Sequence, residues 1–252
     1  MTVLNHHQSQ SKCLNQILKI VPEGTVVDSH LFFSGDIELS LAKYNRFVCA
    51  RTTQFVVFEF WKCLLEDSSR IFNIVSSEHF KFEIEDYPFL QEHWAHYKDE
   101  YIRSSFFYLL NKLSDTGGVS SGNFKNNKIN KTMLANLKTF KKPKNFHLIH
   151  DKCDFVPSLS IDTHCDYKLI NAGNYISDTF LDGKTFGLED TKFSHNDLRL
   201  WLDTTNTKTI ILYKFNDSVV KKYKNHNLTF INEYGKITDN IDKVKEIIVA
   251  NF

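Results

Sequence analysis

The stretch VVDSHLFFSGDIELSL, residues 26–41, opens on a β-branched strand signal, Thr25–Val27, and runs through Phe33, Ser34 and Gly35 into Asp36. A buried strand giving way to a glycine turn is where an α/β protein brings its backbone close to a ligand, at the carboxyl edge of the sheet. Outward from it, further short runs rich in β-branched or aromatic residues read as buried strands: Phe47–Ala50, Phe146–Ile149, Tyr167–Ile170, Thr209–Tyr213, Leu228–Ile231 and Ile247–Phe252. Helical patterns lie between them. Leu14, Ile17, Leu18 and Val21 keep helical spacing, and Thr52–Leu65 is strongly apolar. Ser194 is placed to cap a helix through Leu198, Trp201 and Leu202, and Asn216 or Asp217 to cap one containing Val219, Val220 and Tyr223. Strands alternating with helices predict a mostly parallel, seven-stranded sheet covered on both faces.

The chain of 252 residues suffices for one α/β domain with a smaller insertion. Its 42% hydrophobic and 24% charged content is that of a globular protein, and a net charge of +1 makes only the local distribution of charge informative. The polar N-terminus MTVLNHHQSQSK lacks the apolar core of a secretory signal, and the most apolar stretch, Phe55–Leu65, is broken by Glu59 and Lys62. It is well short of the ~20 residues that span a bilayer. Five scattered cysteines, an odd number without a Cys-x-x-Cys pair, suit a reducing compartment. The expectation is an intracellular, cytoplasmic protein, in the host cell or virion if viral, with no membrane partner; the Lys, Asn, Ile and Phe content fits an AT-rich viral or phage genome.

The middle of the chain is different. From Asp67 to Asn145 it reads as helix and loop, with one strong helix near His93–Leu113 and the turn region SDTGGVSSGN after it. This divides the chain into an α/β domain of residues 1–66 and 146–252 and an inserted segment of residues 67–145. Within the insertion, Lys125, Lys128, Lys131, Lys138, Lys141, Lys142 and Lys144 occur with no Asp or Glu between Thr116 and His150. Interleaved with Phe124, Asn126, Asn127, Asn130 and Phe140, they suit a phosphate backbone: lysines displace counterions and asparagines add hydrogen bonds. A solvated lysine-rich loop is the plainer alternative.

Taken in order, these features resemble the Dam-type adenine DNA methyltransferases, including phage-encoded members, over roughly Ser11 to Phe252. VVDSHLFFSGDIELSL is similar to that family's first strand, Phe-x-Gly-Gly loop and following helix, which cradle S-adenosylmethionine. YNRFVCARTTQ resembles the second strand and its Asn-Asp, and SFFYLLNKLSDTGGVSSGNFK the opening of the DNA-recognition segment. TIILYKFNDSVVKKYKNHNLTFIN and KEIIVANF resemble the closing strands. The resemblance implies a methyltransferase-type, Rossmann-like fold.

The departures fall on the functional positions. Phe33, Ser34 and Gly35 are kept, but Asp36 stands where the next glycine would be and brings a negative charge to the cradle. Arg51 takes the place of the acid that would accept from the ribose hydroxyls, and a guanidinium has no acceptor. Gln10, Ser11 and Lys12 stand for a Gly-Gly-Lys. The Asp-Pro-Pro-Tyr motif, whose polar groups accept from the target amine and whose ring stacks on the flipped base, is represented by Asn171, Ala172, Gly173, Asn174 and Tyr175. If Tyr175 is the aromatic residue, Ala172 replaces the acid; if Asn171 is the acceptor, Asn174 replaces the ring. The resemblance therefore implies a non-catalytic member, without S-adenosylmethionine, that binds DNA, another nucleic acid or a protein partner through the lysine-rich insertion. An active, divergent adenine methyltransferase using S-adenosylmethionine, and a structural subunit of a viral or multiprotein complex, are the alternatives.

Other constellations carry less. His147, His150, Cys153, His164 and Cys165 lack paired zinc spacings, and no metal is expected. Phe106, Phe107 and Tyr108, and likewise Phe55, Phe58 and Trp61, read as buried helix faces. No Walker loop, Gly-x-Ser-x-Gly elbow or His-Glu-x-x-His is present.

Overall fold

The structure, a computed structural model, describes residues 3–5, 10–77, 84–115, 117–120, 122–125, 131–151, 164–175 and 194–252. Its strands are β1 (Val26–His30), β2 (Phe47–Thr52), β3 (Phe146–His150), β4 (Tyr167–Gly173), β5 (Lys208–Lys214), β6 (Asn227–Asn232) and β7 (Val244–Ala250). They form one sheet in the order β3-β2-β1-β4-β5-β7-β6. β1 to β5 are mutually parallel, and β7 runs antiparallel between β5 and β6. This is the doubly wound order with an antiparallel strand inserted before the last: a mixed α/β, methyltransferase-type, Rossmann-like sheet. The chain leaves β1 towards β2 and β3 on one side, then returns to build β4 and β5 on the other. The carboxyl ends of β1 and β4 therefore flank the switch point where such sheets take ligands.

The helices are α1 (Leu14–Ile20), α2 (Asp36–Lys43), α3 (Phe55–Ser76), α4 (Tyr87–His93), α5 (Glu100–Leu113), α6 (Lys131–Lys138), α7 (His195–Thr204) and α8 (Asp217–Lys222). Ser194 caps α7 by accepting from the Asp197 N–H, and Asn216, rather than Asp217, caps α8 by accepting from the Ser218 N–H.

Three sequence expectations are corrected. The helix near His93–Leu113 starts later: α4 ends at His93, a 3-10 turn covers Trp94–His96, and α5 starts at Glu100 because the Asp99 carboxylate accepts from the N–H groups of Tyr101 and Ile102. The last strand is Val244–Ala250, not Ile247–Phe252. Asn251 leaves the ladder, its side chain accepting from the Thr209 N–H and donating to the Thr205 and Thr207 carbonyls. Phe55, placed by its spacing on a buried face, is 43% exposed at the first position of α3, whereas Trp61 is fully buried.

At Asp67 the backbone of α3 leaves helical geometry (φ −148°, ψ 84°), and the Asp67 carboxylate restarts the helix by accepting from the Arg70 N–H. Side chains before and after this point share one hydrophobic core. Phe60 of α3 stacks on Phe107 of α5 with ring centroids 5.3 Å apart, within the cluster that also holds Val27 and Ile170 of the sheet. Glu59, the acid that interrupts the apolar stretch, is buried and takes the Arg103 Nε at 2.8 Å, tying α3 to α5. No helix among the described residues is long and apolar enough to cross a membrane.

Candidate functional site

β1 alternates Val26, Asp28 and His30 on one face with Val27 and Ser29 on the other, and from Val27 to His30 it is buried on both. A carboxylate at the centre of such a strand requires compensation. Arg51 of β2 supplies it: its Nε lies 2.5 Å from Asp28 Oδ1, and its Nη1 lies 3.8 Å from Asp151 Oδ2, just past β3. The guanidinium thus spans the three neighbouring strands near their carboxyl ends. His30 adds a contact of 3.2 Å to Asp28 Oδ2.

Burial pulls the His30 imidazole below its ordinary range, against the raising effect of Asp28. A depressed folded value means that the unfolded chain binds this proton more tightly, so stability is lost as pH falls below the ordinary imidazole value of about 6.5. Urea midpoints are expected to drop between pH 7 and pH 5, and His30→Asn to flatten that dependence. An equal slope in the variant would assign the effect to other groups.

On the opposite face, the buried Glu38 of α2 accepts from Ser29 Oγ at 2.8 Å and from Asn171 Nδ2 at 2.6 Å. Burial raises its carboxyl, an effect that these hydrogen bonds oppose. Asn171, at the end of β4, is thereby held as a donor to a buried acid across the switch point.

The loop between β1 and α2 is closed by the protein itself. Leu31 takes a left-handed conformation (φ 58°), uncommon for a residue with a side chain. It turns the chain so that the Phe32 N–H reaches the Arg51 carbonyl at 2.9 Å. The Phe33 carbonyl accepts from the Trp61 indole at 2.6 Å. Gly35, at φ 74°, lies so close to the Trp61 ring that a Cβ would meet Cη2 at 2.9 Å. The glycine is thus required by an indole of the core and by a left-handed backbone.

Asp36 is the first residue of α2 and takes the Ser34 hydroxyl at 3.3 Å. Lys112 of α5 is electrostatically coupled to it; burial drops this ammonium to about 8, opposed by the Asp36 charge, while its Nζ donates to Asn5 Oδ1 at 2.9 Å. Between Gln10, Phe33, Asp36, Glu38 and Asn171 there remains a cavity of about 20 Å³. That is room for about one water, against roughly 300–1,000 Å³ for sites that enclose a small molecule.

Of the residues singled out in the sequence, Phe33, Asp36 and Asn171 converge on this cavity, and Gly35 lies in the same loop. Arg51 is directed instead to Asp28 and Asp151. Gln10 borders the cavity, but Lys12 turns away and donates to the Glu233 carbonyl at 2.9 Å. The Asn171–Tyr175 stretch begins within β4, whose last residue is Gly173, and divides at the carboxyl edge. Ala172 is buried in a β-bulge and Gly173 turns at φ 63°. Tyr175 leaves the cavity to stack on His195 at 4.6 Å, and His195 Nδ1 lies 3.0 Å from the Tyr213 hydroxyl.

Of the seven lysines, Lys128 lies outside the described residues, as do Asn126, Asn127 and Asn130. Lys125, Lys131, Lys138, Lys141, Lys142 and Lys144 are exposed, and none has a carboxylate within 4 Å among the described residues. Lys138 lies over the Phe72 ring, 5.6 Å from its centre. Cys153 is likewise outside the described residues; His150 packs between Phe55 and Phe58, and His147 is exposed. Among the described residues no group of three or more His, Cys, Asp or Glu side chains is arranged to hold a metal.

The sequence reading missed Asp28, Ser29, Glu38, Lys112 and Asp151. A signal existed for two of them. Asp28 is a charge inside a run that otherwise reads as buried strand, and Glu38 shares the inward stripe of α2 with Leu41 and Ala42.

No family model matches the sequence, and neither does any curated protein. Among solved structures the chain is similar to a TehB-like SAM-dependent methyltransferase from Corynebacterium glutamicum, with 8% identity and a TM-score of 0.37, over 96% of this chain and 87% of that one. A likeness of that size bears on neither activity nor ligand; the fold assignment rests on strand order and on the antiparallel β7.

Proposed function

We propose that this chain is a methyltransferase-fold protein that neither holds S-adenosylmethionine nor transfers a methyl group, and that it binds nucleic acid through its lysine-rich segment. The observation that carries the first part is the occupation of the sheet's carboxyl edge by the chain's own groups. Arg51 bridges Asp28 and Asp151 where a ribose-binding acid would stand, and about 20 Å³ is left beside Gly35 and Asp36. These residues do not fit the cofactor: the guanidinium offers donors only, and the glycine faces Trp61. The second part is supported by six exposed lysines without carboxylate partners among the described residues, which suit a polyanion.

Titration calorimetry with S-adenosylmethionine at millimolar concentration is expected to give no binding heat, and incubation with adenine-containing DNA no methyl transfer. Saturable heat together with methyl transfer would restore the active-enzyme reading. DNA binding is expected to weaken steeply with salt. Replacing Lys138, Lys141 and Lys142 by alanine should reduce the slope of log K against log salt by about 2–3, since each phosphate contact contributes about 0.9. Absent or salt-independent binding would remove the nucleic-acid part and leave a structural subunit.

A further inference from the structure

Lys144 and Asn145 lead into β3, and Lys43 to Arg46 lead into β2. These strands are parallel neighbours, so both approaches lie at the amino edge of the sheet, a strand length of about 17 Å from Asn171 and Gly35. The Val48 N–H donates to the Asn145 carbonyl at 2.8 Å, which sets Phe47 alongside Asn145 and Lys144. Phe47 is 47% exposed and Tyr44 is 56% exposed. Lys43, next to Tyr44 in the chain, is exposed, as are Lys141, Lys142 and Lys144 on the approach to β3.

Two acids, Glu23 and Asp166, also lie at this edge. Glu23 takes the Asn45 amide at 3.3 Å, and Asp166 takes the Val26 N–H at 2.7 Å. Along the same edge, the amino ends of β4 and β5 flank an open cleft of about 520 Å³, lined by Asp166, Tyr167, Asn206, Thr207 and Lys208 among others. The Lys208 ammonium sits 5.5 Å from the Tyr167 ring centre and 5.8 Å from that of Phe252.

Exposed rings beside lysines that lack carboxylate partners are the combination that holds a single strand, because unpaired bases offer π-faces that a duplex hides. We propose that the amino edge from β3 to β5 is a single-stranded nucleic-acid platform, with Tyr44 and Phe47 stacking bases and Lys141, Lys142, Lys144 and Lys208 holding phosphates. It rests on the nucleic-acid reading above and narrows it to one substrate class and one edge, opposite the closed switch point. Four strand spacings give about 19 Å, suited to the short end of the ~4–16 nucleotide sites of such surfaces. The recessed cleft and the amides of Asn145 and Asn206 favour a base-bearing chain over the flat surface of an anionic membrane.

The test is fluorescence anisotropy of the full chain with a labelled oligothymidine of about 15 nucleotides and with a duplex of equal length. Wild type should bind the single strand about tenfold more tightly than the duplex. Tyr44→Ala and Phe47→Leu should each weaken single-strand binding by about tenfold and leave duplex binding unchanged; leucine keeps the apolar bulk and removes the π-face. Lys141, Lys142 and Lys144 changed together to alanine should weaken both. Unaltered melting curves establish that these surface variants fold. If the ring variants bind the single strand as wild type does while the lysine variant does not, the platform is wrong and the lysine reading stands. If neither oligonucleotide binds the wild type, both fail. Binding to phosphatidylserine vesicles that requires Phe47, without oligonucleotide binding, would overturn the proposal in favour of a membrane surface.

Discussion

Replacing Arg51 with alanine is expected to cost about 3–5 kcal/mol of folding stability, the usual consequence of removing one partner of a buried ion pair. Asp28 is 1% exposed at the centre of β1 and Asp151 is 7% exposed. Without the guanidinium both carboxylates lose a cationic neighbour in a region from which water is largely excluded. For a chain of this size the melting temperature should fall by roughly 6–20 °C, at 2–4 °C per kcal/mol. Urea denaturation measures the loss directly. Adding Asp28→Asn to the Arg51→Ala variant should recover a substantial part, since an amide at position 28 carries no uncompensated charge. A loss below about 1 kcal/mol in the single variant would mean that the arginine is not needed to compensate Asp28. The cleft would then be free to open toward a cofactor.

Gly35→Ala is expected to destabilise by about 2–5 kcal/mol. A left-handed backbone costs a residue with a Cβ roughly 1–2 kcal/mol, and overpacking against a buried ring adds about 1–3 kcal/mol. The new methyl would stand 2.9 Å from Trp61 Cη2 and 3.1 Å from Leu39 Cδ1. Trp61→Phe removes the atoms it strikes, at its own cost in a cavity and in the lost hydrogen bond to the Phe33 carbonyl. Combined, the two substitutions should be less harmful than the sum of the singles, with a coupling of about 1–2 kcal/mol. Strict additivity would show that Gly35 is needed only for its backbone conformation. The cycle also separates two reasons for the same glycine, because a residue kept for a ligand's approach would not couple to an indole behind it.

The seven strands were legible because each is a short apolar run between polar turns, and the caps at Ser194 and Asn216 because their side chains act within a few residues. The break between α4 and α5 escaped the pattern: Trp94, Tyr97 and Tyr101 keep the segment apolar, while the interruption depends on the Asp99 cap. In the site, Phe33, Gly35, Asp36 and Asn171 were identifiable through the resemblance of their stretches to the adenine methyltransferase loop and motif. Lys112 was not, since a charged residue on a helix ordinarily faces water, and Glu38 was passed over for the same reason despite its place on the inward stripe of α2. For Lys112, only packing reveals that it does not.

By itself, the sequence determined a mostly parallel α/β sheet with an interrupted middle. Periodicity and turn chemistry are local properties, which is why they suffice for that much; Asp36, Arg51 and Ala172 were singled out by the resemblance to the adenine methyltransferases. The tertiary structure alone decided what those residues meet. Arg51 is set against Asp28 and Asp151, Asn171 against Glu38, and Gly35 against Trp61, across strand pairings and a helix contact that no spacing along the chain encodes. It also placed Phe47 beside Lys144, residues nearly a hundred positions apart in sequence, at an edge away from the switch point. Such neighbours follow from sheet register, which is settled by the packing of the whole core.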